Sequence, residues 1–137
     1  MINSLTLSAP AKLNLYLKVR GRRPDGFHDI ETLFERVDLQ DDLTFQSLSS
    51  QDIQVVCDHP DVPTGPDNLV YQVIHRLKRD RSLLRGVRVT ITKRIPVAAG
   101  LAGGSTDAAT ALMGVNRLWG LGLGRDDLFP YAAAVGS

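Results

Sequence analysis

Hydrophobic and polar positions alternate along the first third of the chain. Leu5-Thr-Leu-Ser8 and Leu13-Asn-Leu-Tyr-Leu-Lys-Val19 both keep the two-residue period of half-buried strands. Between them lies Ala9-Pro-Ala-Lys12, where Pro10 has no N–H to give to a ladder, so an interruption is expected. Gly21-Arg-Arg-Pro-Asp-Gly26 has the composition of a turn, and Phe27 to Leu39 reads as a further strand. Leu43-Thr-Phe-Gln46 and Ile53-Gln-Val-Val-Cys57 predict two more. The period then changes. Val70, Val73, Ile74 and Leu77 form one apolar face of a helix that Asn68 can cap. A β-rich run from Gly86 to Ile95 follows, and then an alanine-rich helix from Asp107 to Trp119, with Ala108, Leu112, Val115 and Trp119 along one side. Asp126-Asp127 opens a last short helix that frays into 132–137, and Pro130 fits best in its first turn. Strands first and strand–helix mixtures afterwards predict an α+β domain.

The connection between the last strand and the alanine-rich helix changes the picture from fold to chemistry. Pro96-Val-Ala-Ala-Gly-Leu-Ala-Gly-Gly-Ser-Thr-Asp-Ala-Ala109 places Gly100, Gly103, Gly104 and the hydroxyls of Ser105 and Thr106 where a strand turns into a helix N-terminus. Unsatisfied N–H groups and the positive end of the helix dipole meet there and favour a bound anion. Glycine lets the backbone approach phosphate oxygens closely. The segment is no Walker A loop, because no lysine follows Gly104, and its glycines do not fit G-x-G-x-x-G. It reads as a phosphate cradle, against the alternative of an ordinary glycine-rich connection capped by Ser105 or Thr106.

Composition bounds the options. At 137 residues, with 43% hydrophobic and 23% charged residues, the chain amounts to one ordinary globular domain. A net charge of +1 offers no electrostatic case for nucleic acid or an anionic membrane. The lone Cys57 excludes a disulfide framework within the chain and reads as a small apolar residue rather than a nucleophile. No leader pattern and no run long enough to span a bilayer is visible, so a cytoplasmic location is expected.

Several side chains could carry chemistry. Lys12 is either a solvated surface lysine or a cation aimed at a transferring phosphoryl group and its attacking hydroxyl. In Asp25-Gly26-Phe27-His28, Phe27 could stack on a flat heterocycle while His28 bonds its edge, or the segment could be a hairpin turn with a packed ring. His59 and His75 have no metal-ligand partners at usable spacing and read as structural. Asp107 reads first as a carboxylate in the first turn of a helix and secondly as a base or magnesium contact. Asp67-Asn68-Leu69 reads first as a helix start and secondly as a nucleoside contact.

Taken in order, these residues resemble the GHMP kinase superfamily, which binds ATP through a glycine loop. Pro10-Ala-Lys-Leu-Asn-Leu15 matches P-A-K-(I/L)-N-L, and Arg23-Pro-Asp-Gly-Phe-His28 matches R-x-D-G-(Y/F)-H. Pro96 through Ala109 matches P-x-x-x-G-L-x-G-G-S-(S/T)-(D/N)-A-A, and Asn116-Arg-Leu-Trp119 matches N-x-L-W. Within the superfamily these motifs look similar to those of the branch that acts on a cytidine diphosphate-linked methylerythritol in non-mevalonate isoprenoid synthesis. The resemblance implies a GHMP N-terminal domain, similar to the second domain of ribosomal protein S5. It implies transfer of the ATP γ-phosphoryl to a tertiary 2-hydroxyl, with Mg2+ accompanying the ATP. Lys12 would be the catalytic lysine and Asn14 would hold the substrate. Phe27 would stack on cytosine and His28 would recognise its edge. Pro96, Val97, Ala98, Ala99, Gly100, Leu101, Ala102, Gly103, Gly104, Ser105 and Thr106 would wrap the triphosphate, with Asn68 near the adenosine. No side chain is assigned to metal. Other GHMP kinases, acting on mevalonate, homoserine or a sugar, are the nearest alternative, and a non-catalytic S5-like binding module is the more distant one.

Two departures stand out. Ala102 replaces a glycine of many such loops, and the chain stops at Gly136-Ser137, which resemble the start of the family's G-(A/S)-D-(V/I)-P stretch, one position before the aspartate that is the family's base. The expectation is therefore a GHMP N-terminal domain over residues 1–137, cut before the base and without its C-terminal partner, with little activity of its own.

Overall fold

The computed structural model describes residues 3–10, 40–95 and 103–135. Within them, strands β1 (Ser4–Pro10), β2 (Gln40–Leu48), β3 (Ile53–Cys57) and β4 (Gly86–Thr92) form one sheet in the order β1-β2-β4-β3. Helices α1 (Leu69–Asp80), α2 (Gly103–Leu118) and α3 (Arg125–Val135) complete the described elements. β1 with β2 and β2 with β4 are antiparallel, while β3 and β4 are parallel, joined by a crossover through α1. The α+β expectation holds.

Period-two patterning decides which sheet face is covered. Leu43 and Phe45 on β2 and Val87, Val89 and Ile91 on β4 are fully buried, and the register sets Leu43 opposite Ile91 and Phe45 opposite Val89. α1 and α2 pack on that face. Thr6 and Thr44, whose hydroxyls lie 3.0 Å apart, and Arg88, which donates to Gln54 over 3.0 Å, have the opposite strand parity. α1 forms as the sequence predicts. Asn68 caps it, its Oδ1 accepting from Val70 N–H at 2.8 Å, and Val70, Val73, Ile74 and Leu77 are all buried.

Four expectations are corrected. β1 runs through Ala9 and Pro10, which pair with Asp41 and Gln40. Among the described residues it is an edge strand, and a proline at its last position forfeits no ladder bond on the far side. β4 ends at Thr92 rather than Ile95, because carboxylates replace the ladder as partners of the next three amides. Asp58 Oδ1 takes the N–H of Lys93, and Asp41 Oδ1 those of Arg94 and Ile95. α2 starts at Gly103, four residues before the expected Asp107, and ends at Leu118. Glycine costs little in a first turn, whose N–H groups need no intrahelical partner. Pro130 is the sixth residue of α3, not part of its first turn.

The remaining motif residues find structural partners. Asn116 clamps the α2–α3 connection, donating to Leu123 C=O at 2.9 Å and accepting from Leu123 N–H at 3.0 Å. Trp119 is buried just beyond α2, and Gly120 follows at φ +63°, the left-handed conformation that ends helices. Leu13–Val19, Gly21–Gly26 and Phe27–Leu39 lie outside the described residues.

Candidate nucleotide site

β4 delivers its inward stripe one residue past its end. Val87, Val89, Ile91 and Lys93 share a parity, so Lys93 points its side chain to the helix-covered face, where it is only 6% exposed. Asp41 holds the same relation to Leu43 and Phe45 on β2 and is fully buried. α2 adds Asp107, on the stripe of Ala111 and Val115. The three meet in one ionic cluster. Lys93 Nζ lies 2.6 Å from Asp41 Oδ2 and 3.3 Å from Asp107 Oδ2.

Opposing forces set the charges there. Burial works against ionising Asp41, but hydrogen bonds with Asp107, Lys93 and the amides of Arg94 and Ile95 outweigh it and hold this carboxyl below its ordinary range. Burial also disfavours a charged Lys93, yet the hydrogen bond it donates to Asp41 and the two carboxyls together raise its pKa. Lys93 favours an ionised Asp107 as well, but its pull is outweighed. Burial first, and then Asp41, push it up to about 8, so near neutral pH it is a protonated acid that hydrogen-bonds the Asp41 carboxylate. Its Oδ1 is buried and has no partner.

Beside this cluster is a cavity of about 220 Å³ between the start of α1 and the first turn of α2. Asn68, Leu69, Val62, Lys93, Gly104 and Asp107 are among its lining residues. Gly104 sits in the first turn of a 16-residue helix, whose leading N–H groups have no intrahelical acceptor, so the cavity lies at the positive end of a dipole. Asn68, expected near a nucleoside, does line the cavity. Its amide is already engaged, however, with Nδ2 donating to Pro63 C=O at 2.7 Å and Oδ1 capping α1.

The structure thus brings together Asn68, Gly103, Gly104 and Thr106 of the expected site, since the last three share the first turn of α2. Ser105 belongs to the same turn. Lys12, Asn14, Phe27, His28 and the segment 96–102 lie outside the described residues. Asp107 is corrected: it is neither a cap nor in the first turn, but the fifth residue of α2, buried against Lys93. Asp41 and Lys93 escaped the sequence reading. A signal existed, because each is a charged residue on the apolar parity of its strand. His59 accepts from Asp61 N–H, and His75 stacks on Tyr71 with centroids 6.0 Å apart. Among the described residues no group of three or more acidic, histidine or cysteine side chains could hold a metal. No described helix is long and apolar enough to cross a membrane.

A mixed sheet covered on one face by helices, with a glycine-rich helix start opening on a cavity, defines the class. Residues 68–137 match the family described as GHMP kinases N terminal domain, and the chain belongs to that family. More particularly, it is 46% identical, over 99% of its length, to the 4-diphosphocytidyl-2-C-methyl-D-erythritol kinase of Nostoc sp.. It spans 44% of that relative. A crystal structure of 4-(cytidine 5'-diphospho)-2C-methyl-D-erythritol kinase superposes with a TM-score of 0.57 and 32% identity, over 72% of this chain and 34% of that one. Homoserine kinase from Cytophaga hutchinsonii shares the fold, with a TM-score of 0.62 at 21% identity over 68% of this chain and 31% of its own.

Proposed function

We propose that this chain is the nucleotide-holding part of an ATP-dependent kinase that phosphorylates the 2-hydroxyl of 4-diphosphocytidyl-2-C-methyl-D-erythritol. The observation that carries the proposal is the cavity at the N-terminus of α2, bounded by Gly104 and Lys93, in a chain 46% identical to a kinase of that name. Such a helix start attracts phosphate oxygens through unpaired amides and its dipole. Glycine at 104 leaves the approach open, since a Cβ there would meet only a side-chain methyl of Leu69, at 3.4 Å.

The nucleoside would enter between Val62, Leu69 and Asn68, and residues 96–106 would wrap the triphosphate. Lys12 would stabilise charge on the transferring phosphoryl, Asn14 would hold the acceptor, and Phe27 and His28 would take the cytosine ring. Phosphoryl transfer depends chiefly on positioning and on neutralising charge, which is the work assigned to these residues. Mg2+ would arrive on the phosphates, because Asp107 is committed to Lys93 and Asp41. A cytoplasmic location agrees with these roles. The chain supplies nucleotide capture, and the full reaction is proposed for the longer protein that the relatives represent.

Calorimetric titration of the chain with ATP tests this. Wild type should bind, and Gly104→Asp should abolish binding by placing a carboxylate where phosphate sits, with the unfolding midpoint little changed. Equal affinity in the two proteins would sink the assignment. Cytidine diphosphate binding that survives Phe27→Ala would remove the diphosphocytidyl substrate and favour another GHMP kinase.

A further inference from the structure

We infer that Asp41 is a positioning residue for the nucleotide site: with Lys93 and Asp107 it forms a clasp that sets the exit of β4 against the first turns of α2. The inference rests on reading the cavity as a nucleotide site. One carboxyl does two jobs. Asp41 Oδ1 accepts the amides of Arg94 and Ile95 at 2.7 and 2.9 Å, the last described residues before the glycine-rich connection. Its Oδ2 accepts Lys93 Nζ, which reaches on to Asp107 at the other end of that connection. Lys93 and Asp107 are themselves walls of the cavity.

Cohesion alone does not account for the cluster. Leu43, Ile91 and Ala108, next to these residues in sequence or strand parity, are all buried apolar side chains. Burying two carboxyls and an ammonium costs desolvation that apolar residues of similar volume avoid. What ions add is direction: two amides and one ammonium are fixed around a single carboxylate, and apolar packing cannot specify that geometry. Asp41 touches no ligand in this scheme and acts through the backbone it holds.

Asp41→Asn would test the clasp, since its carboxamide must present a donor to Lys93 Nζ or to the two amides. In the full 137-residue chain, amide hydrogen exchange should quicken at Arg94, Ile95 and the first two turns of α2, while α1 stays protected. ATP affinity should fall roughly tenfold or more. Asp107→Ala should weaken ATP binding as well, and Asp107→Asn should restore it by returning a neutral donor to Asp41, a rescue that a general loss of stability would not show. Unchanged exchange at those amides in Asp41→Asn overturns the clasp. Faster exchange with unchanged ATP affinity overturns its role in positioning. If wild type itself binds no ATP, the kinase reading fails and takes the nucleotide role with it, and exchange at those amides then decides the clasp as an element of the fold.

Discussion

Asp107 shows how far one side chain's chemistry depends on its surroundings. In the sequence it reads as an acidic residue near a helix start, which any helix dipole would favour. In the fold it is 3% exposed and its pKa is pushed up to about 8, by burial first and then by Asp41. A carboxyl whose pKa is higher folded than unfolded stabilises fully below its unfolded value, near 3.8. That contribution declines as pH rises and is gone above the folded value. Asp41 is shifted down and Lys93 up, so neither titrates in the same window. Stability should therefore fall between pH 5 and about 8 by at most about 1.4 kcal/mol per pH unit, and Asp107→Asn should remove that slope. Urea unfolding of both proteins across this range checks it, and parallel profiles would refute the buried acid. The same scale shows what was legible. Asp41 and Lys93 could have been found from parity, whereas Asp107 needed the helix start to be placed four residues earlier.

Between α2 and the sheet, contact is set by one absent side chain. A Cβ at Gly114 would fall 2.2 Å from the Phe45 ring, so the helix lies directly on that aromatic face. Gly114→Ala should destabilise by about 1–3 kcal/mol despite the better helix propensity of alanine. Phe45→Ala alone should cost about 3–5 kcal/mol. The double variant should cost less than the sum, because the clash and the cavity relieve each other, and a double-mutant cycle from chemical denaturation reads this directly. In α3, Pro130 lacks the N–H that would reach back one turn. As it is exposed in the helix interior, Pro130→Ala should raise the unfolding midpoint, and a lower midpoint would contradict its place there. α1 and β3 were legible as drawn, since a capping asparagine and a strict period suffice for them. The ends of β1, β4 and α2 were not. The first two are decided away from their own sequence, by the edge position for Pro10 and by Asp41 for Arg94 and Ile95, whereas α2 starts early because its first turn accepts glycine.

For the molecule as a whole, binding and folding are linked. If ATP binds only the folded chain, then at about a hundred times its dissociation constant it should add about 2.7 kcal/mol of stability. Thermal unfolding with and without ATP measures this, and an unmoved midpoint at saturating ATP would remove nucleotide binding from the account. By itself the sequence determined the α+β class, the helix capped by Asn68, the strand–glycine–helix connection and the resemblance to GHMP kinases. These are local or ordered features, written in periodicity, capping chemistry and motif spacing. Only the tertiary structure decided that β2, β4 and α2 converge with Asp41, Lys93 and Asp107 at one point, beside the cavity at a helix start. Those residues lie 52 and 14 positions apart. Solvent exclusion, which turns one carboxyl into an acid and the other into an anchor, exists only once sheet and helices close over them.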